Sequence, residues 1–259
     1  MRKTMRILIG ALMVLMIVFT AACSNVEEIV PKKALTFGDI TDENLPAVCD
    51  VLNEAGLKNV DTFETWVKKY NSVADQIKGK TGYADADSAM TVMLLADDDI
   101  EFKTVSDEYN GSKLFFDLSV IQNSKAYNIL GGKVDGFCTM FGEMPISIKG
   151  FKRTFPENLR RYGIVFAGQN YQIVNVVVRT DDKENGVIAH SGLLIDSAGL
   201  TGVNSSYIFL EKTAYTEPFR LTEINSDSDL MALLAESPDL QGVKKPARVY
   251  KNEQFIGDL

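Results

Sequence analysis

The chain has 259 residues, 46% of them hydrophobic and 24% charged, and its formal charge is −8. An acidic chain with no basic cluster excludes nucleic acid as an expected partner, because phosphate binding needs clustered Lys and Arg. One histidine and three cysteines, with no Cys-x-x-Cys and no His-Glu-x-x-His, give no ground for expecting a zinc site or another cofactor.

Residues 1–22 read as a targeting leader. Arg2, Lys3 and Arg6 make a positive start, and Ile7 to Phe19 is almost wholly apolar. That run is too short to read as a spanning helix, which needs about 20 residues. Thr20-Ala21-Ala22-Cys23 has the small residues and the cysteine of a lipoprotein cleavage site, so Cys23 is the expected point of lipid attachment and the membrane the expected partner through that lipid. Loss of the leader removes Arg2, Lys3 and Arg6 and takes the charge from −8 to −11. Residues 23–36 then read as a lipid-anchored tether on the extracytoplasmic side of a cell membrane, and residues 37–259 as a single domain.

Within that domain Thr41 to Leu57 is expected to be a helix. Thr41 or Asp42 is placed to cap it, Leu45, Val48, Val51 and Leu52 recur at helical spacing, and Gly56 marks its end. Asp61 to Lys78 is a second helix, with Phe63, Trp66, Val67, Tyr70, Val73 and Ile77 as an apolar stripe that reads as core. A third begins at Asp85 or Asp87 and faces inward with Met90, Met93 and Leu94; Asp97, Asp98 and Asp99 read as its solvated exit. Short helical turns are expected near 118–122, over 137–141 and over 156–162, the last with Pro156 at its first position.

From Gln172 the character changes. Ile173 to Val178 is β-branched almost throughout and reads as a buried strand. The turn 181–186 leads into a strand over Val187–Ile195, and a Gly/Ser/Asn-rich loop leads into another over Tyr207–Leu210. Phe219 to Ile224 alternates as a further strand. Ser226 and Asp229 have capping-box spacing before a helix over Leu230–Glu236, and 248–259 is expected to dock as an edge strand. Helices first and antiparallel strands later make an α+β domain, with N-terminal helices packed on an antiparallel sheet.

Three side chains stand out chemically. His190, the single histidine, lies in the 187–195 strand, where strict alternation puts Ile188, His190, Gly192 and Leu194 on one face. Glu211 on the next strand is placed to orient it. Ser88 falls in the first turn of the third helix, where free N–H groups and the helix dipole favour developing negative charge. Against this, a lone strand histidine is more often structural than catalytic. Cys138 is a second candidate nucleophile, and a Cys49–Cys138 disulfide is open in an oxidising compartment.

The stretches Asp87-Ser88-Ala89-Met90-Thr91, His190-Ser-Gly-Leu-Leu194 with Phe209-Leu-Glu-Lys212 and Glu217-Pro-Phe219, and 246–259 resemble a family of bacterial lipoproteins described as domain of unknown function 4300. The resemblance covers most of the chain after the leader. In that family the first stretch reads Asn/Asp-Cys-Arg-x-Thr. A cysteine at a helix N-terminus followed by a strand histidine implies a papain-like, NlpC-type half-barrel. Here Ser88-Ala89 stands in place of Cys-Arg. A helix dipole worth at most about 1–2 kcal/mol does not turn a serine hydroxyl into an alkoxide, so Ser88 would depend wholly on His190 as base.

Two functions from different classes follow. One is a catalytically silent member that binds a peptide, glycan or protein partner at the cell envelope. The other is an amide hydrolase acting on cell-envelope peptides, with Ser88 as nucleophile, His190 as base and Glu211 as its orienter. A solute-binding lipoprotein is disfavoured because the chain shows no pair of βαβ lobes.

Overall fold

The run Ile173–Val178 lies at the middle of the molecule, in a strand buried on both faces as its composition requires. The structure, a computed structural model, describes residues 35–77, 87–105, 133–214, 216–243 and 245–259, all within the compact unit Ala34–Leu259. The leader, Cys23 and the helical turn expected near 118–122 lie outside these residues.

The strands are β1 (Gly38–Asp39), β2 (Ile100–Phe102), β3 (Met144–Pro145), β4 (Ile164–Phe166), β5 (Tyr171–Arg179), β6 (Asn185–Asp196), β7 (Tyr207–Lys212), β8 (Phe219–Ile224), β9 (Arg248–Lys251) and β10 (Gln254–Asp258). The helices are α1 (Leu45–Glu54), α2 (Val60–Ile77), α3 (Ser88–Ala96), α4 (Val134–Phe141), α5 (Thr154–Tyr162) and α6 (Asp227–Ala235). The principal sheet runs β1-β8-β7-β6-β5-β9-β10, with β3 added to β6, and every pairing is antiparallel. It is an open sheet with β1 and β10 at its edges. β2 and β4 form a separate antiparallel pair that the sequence pattern did not suggest. The fold is therefore α+β, with helices packed on an antiparallel sheet.

Each face of the sheet carries a core. On one, Ile173, Val177, Ile188, Leu193, Ile195, Ile208, Leu210, Phe219 and Leu221 pack with α1 to α5, including Phe63, Trp66, Met90, Leu94, Phe137 and Phe155. On the other, Val174, Val176, Val178, Val187, Ala189, Leu194 and Phe209 pack with Leu230 and Leu234 of α6, and with Leu240 and Val249. The period of two along β5 sorts its valines between these cores.

The pairing of β5 with β6 departs from strict alternation. Val176 pairs with His190 but Val177 pairs with Ile188, so Ala189 is an extra, bulged residue. Directly opposed residues share a face. His190, Gly192 and Leu194 therefore lie with Val176 and Val174 on the α6 side, while Ile188 lies with Val177 on the α1–α5 side. The expected common face for Ile188 and His190 is broken by the bulge. Beyond it, Gly192 is required by close approach: a Cβ there would collide with the Phe209 ring and come 2.9 Å from the Leu210 carbonyl oxygen.

Local sequence accounts for most element ends. Ser226 caps α6 by accepting from the Asp229 amide at 3.2 Å. Asp87 caps α3, its Oδ1 accepting from the Met90 amide at 2.6 Å. Asn44, not Thr41 or Asp42, stands at the N-cap of α1, and its side chain is turned back to accept from the Thr41 amide at 2.8 Å. Gly56, φ +81, lies just past that helix. α5 starts at Thr154, two residues ahead of Pro156. The acidic run after α3 is a 3-10 turn that is not simply solvated: Lys133 pairs with Asp97 and Asp98, and the Tyr171 hydroxyl donates to Asp99 at 2.7 Å. The C-terminal stretch is a hairpin in which β9 is interior, against β5, and β10 takes the edge.

Candidate functional site: a buried imidazolium between two carboxylates

β6 and β7 pair with Gly192 opposite Glu211, so His190 and Glu211 are diagonal neighbours on the α6 face of the sheet. The His190 Nε2 lies 2.9 Å from Glu211 Oε2. Its Nδ1 lies 3.1 Å from Oδ2 of Asp239, in the 3-10 turn Pro238–Leu240 that follows α6. The His190 side chain is 0% exposed and that of Glu211 1%, whereas Asp239 keeps 19%. An ionised carboxylate only accepts hydrogen bonds, so two of them at the two ring nitrogens call for an N–H on each: the doubly protonated ring. The electrostatics agree. Burial by itself would push the imidazolium down, but the hydrogen bonds and charges of Asp239 and Glu211 outweigh it and raise the pKa from 6.5 to about 9.

Two further buried ionisable groups lie close by. Lys212 is 1% exposed; its Nζ donates to the Ala214 carbonyl at 2.8 Å and to that of Glu217, and sits 3.9 Å over the Tyr70 ring. Burial lowers its pKa from 10.5 to about 7, against the opposing pull of Asp239, Glu217 and Asp87. Asp87 is 7% exposed, and its Oδ2 has no hydrogen-bond partner among the described residues. Burial raises the Asp87 carboxyl to about 7, the Met90 amide opposes this, Asp239 adds to it and Lys212 counters it. Burial likewise raises Asp239, the hydrogen bond and charge of His190 opposing.

The structure brings His190 and Glu211 together. Among the described residues no hydrogen bond joins His190 to Ser88, and both ring nitrogens are occupied by carboxylates. The apolar residues of α3 pack in the core on the other face of the sheet, while Asp87 at its N-terminus lies within the field of Asp239. Ser88 itself is half-buried at the first position of α3. Cys138 is 2% exposed within α4, away from solvent. Cys49 and Cys138 are not joined by a disulfide, and burial pushes the Cys49 thiol up to about 12, so Cys49 is an inert core thiol.

Asp239 also lines an open cleft of about 730 Å³ between the segment 239–243 and the β5–β6 turn, with Glu143, Arg179, Asp181 and Asp182 contributing charge. Sequence reasoning missed Asp239 and the burial of Lys212. Pro238-Asp239 reads as an ordinary turn, and a lysine closing a strand reads as solvated; only the tertiary pairing marks either. Among the described residues no group of three or more His, Cys, Asp or Glu side chains is arranged to hold a metal ion, and no helix is long and apolar enough to cross a membrane.

The family model described as domain of unknown function, DUF4300, matches residues 78–247, a span running from just before α3 to just before β9 and including Asp87, His190, Glu211, Lys212 and Asp239. The chain belongs to the DUF4300 family. No curated protein and no solved structure matches it. The five residues of this ionisable cluster thus fall inside the DUF4300 region, while α1, α2 and the β9–β10 hairpin lie outside it.

Proposed function

We propose that this chain is a lipid-anchored protein of the cell envelope that binds a peptide, glycan or protein partner without hydrolysing it. The observation that carries this is the state of His190: fully buried, with both ring nitrogens engaged by carboxylates. A general base needs a free nitrogen within reach of the proton it takes, and an imidazolium near neutral pH has none. The cleft beside Asp239 is the binding place in this reading. The scaffold is read as a papain-like, NlpC-type arrangement that has lost its nucleophile–base contact. Its support is the order of the elements: a helix with Ser88 in its first turn, then antiparallel strands with histidine on one and its acidic partner on the next.

A fluorophosphonate, which labels activated serines, tests the silent reading directly. Ser88 is expected to stay unlabelled, and Ser88→Ala is expected to leave binding of peptidoglycan stem peptides, followed by calorimetry, unchanged. The amide hydrolase with Ser88, His190 and Glu211 is the second reading, favoured by the 2.9 Å His190–Glu211 contact. Labelling of Ser88 that His190→Ala abolishes would replace the first reading with the second.

The anchor is proposed from Thr20-Ala21-Ala22-Cys23. Cys23→Ala is expected to leave an uncleaved precursor or to shift the protein from the membrane to the soluble fraction. Mass spectrometry finding no lipid on wild-type Cys23 sinks the anchor and leaves the binding reading standing.

A further inference from the structure

The cleft has two walls of different construction. One is the end of the β5–β6 hairpin, Val178 to Asp182 with Val187, held by the ladder of the sheet. The other is the segment 239–243, which belongs to no strand. Its hydrogen bonds within the turn, Leu240 amide to Ser237 carbonyl at 3.0 Å and Gln241 amide to Pro238 carbonyl at 3.1 Å, are local and do not tie it to the sheet. Three side chains do. Leu240 is buried in the core under α6, Val243 packs partly buried against the same core, and Asp239 holds His190 at 3.1 Å.

We propose that the His190 imidazolium is a latch: gripping Glu211 on β7 with one N–H and Asp239 on the 3-10 turn with the other, it holds the 239–243 wall against the sheet and so sets the width of the cleft. This goes beyond binding itself and concerns the control of that site. Only its consequence for a ligand rests on the cleft being the place where a partner binds.

The geometry makes the latch depend on charge. With the ring doubly protonated, both carboxylates are satisfied. With the ring neutral, one nitrogen loses its hydrogen and faces a carboxylate with a lone pair, and the cluster of His190, Asp239 and Glu211 goes from one net negative charge to two. Glu211 is fixed in a central strand, so Asp239, on the short turn and 19% exposed, is the partner that moves out towards water. The other charges acting on Asp239 are Lys212, which favours its ionised form, and Glu211, which disfavours it. Asp239 in turn acts on Asp87 at the N-cap of α3. Leu240 keeps the opened turn tethered, so unlatching is a local event and not unfolding.

Amide hydrogen exchange on the full chain without any ligand tests this. In Asp239→Ala, protection of the peptide covering 239–243 is expected to fall about tenfold at neutral pH, while peptides in β5 and β7 keep theirs. In wild type, exchange corrected for its intrinsic pH dependence and followed by quench flow is expected to lose protection in 239–243 as the pH climbs towards about 9, where His190 gives up its proton. Should Asp239→Ala unfold as a whole, the wild-type pH series decides alone. Protection of 239–243 that stays constant across that pH range overturns the latch, as does protection that falls everywhere in parallel. Because no ligand is present, failure here leaves the binding reading untouched, and failure of stem-peptide binding leaves the latch untouched.

Discussion

Replacing His190 with alanine is expected to lower the unfolding free energy by about 3–5 kcal/mol, the range for removing one partner of a buried ion pair. The substitution takes away the cation hydrogen-bonded to Glu211 Oε2 and to Asp239 Oδ2, and it leaves a void where a 0%-exposed ring had packed. Glu211 cannot swing to water, because it is 2% exposed in a strand paired on both sides. Urea titration followed by circular dichroism measures the loss. The companion experiment separates charge from volume. Replacing His190, Glu211 and Asp239 together by apolar residues of similar size is expected to recover most of it, since a buried ionic cluster is often no more stabilising than a well-packed apolar one. If His190→Ala costs less than about 1 kcal/mol, the ring is not a buried imidazolium and the case for a latch falls with it. A large loss carries its own functional meaning. A general base is commonly replaced at a cost in rate, whereas here the cost falls on the fold.

Much of the architecture was legible because it rests on local rules. The cap residues Asp87 and Ser226, the aliphatic periods of α1 and α2, and the β-branched run of β5 each announce an element through chemistry that acts within a few residues. The pairing of His190 with Glu211 was legible too, since strands joined by one loop are neighbours as a rule. What escaped is non-local. The bulge at Ala189 follows from the register of β5 against β6, and no residue type in 187–195 marks it. It decides the face His190 takes, and with that its place beside the 3-10 turn after α6. Asp239 reaches His190 across 49 positions, and Lys212 is buried because Tyr70, 142 positions earlier, covers it. The pair β2 and β4 is three residues long on each side, too short for a periodic signal.

The same cluster explains why Ser88 need not be a nucleophile for its helix to matter. α3 carries at its N-terminus a buried carboxyl, Asp87, that satisfies the Met90 amide and leaves its other oxygen unpartnered among the described residues. A carboxyl held near neutrality by burial is a poor source of the field that would activate a neighbouring hydroxyl. The helix end is spent on capping, and its contribution is to place Asp87 within the field of Asp239 and Lys212.

The pH dependence of stability is expected to be nearly flat between about pH 7 and 9 in wild type, and to tilt when Lys212 is replaced by methionine. His190 has its folded pKa raised, from 6.5 to about 9. Its contribution to stability is fully present below 6.5 and is lost as the pH rises through about 9. Lys212 has its folded pKa lowered, from 10.5 to about 7, chiefly by burial. Its penalty is fully present below about 7 and is relieved as the pH rises towards 10.5. In the window between, the folded state holds one proton more than the unfolded state at His190 and one fewer at Lys212, so the two slopes oppose. Lys212→Met removes the second and should leave stability falling by up to about 1.4 kcal/mol per pH unit across the window. The substitution will also shift the level of stability, because the Ala214 and Glu217 carbonyls lose their donor while the cost of burying the ammonium is removed. The slope, not the level, is the readout. Points below about pH 8 stay clear of the Cys49 thiol, which titrates around 9 in the unfolded chain and is pushed up to about 12 in the fold, and of the phenols of Tyr70 and Tyr250, both pushed up to about 12. Urea midpoints at a series of pH values supply the curve. A Lys212→Met slope equal to that of wild type would mean that the ammonium keeps an ordinary pKa, held charged by the two carbonyls and the Tyr70 face in spite of its burial. A flat line in both proteins, with His190→Ala equally flat, would mean that neither group changes its proton affinity on folding.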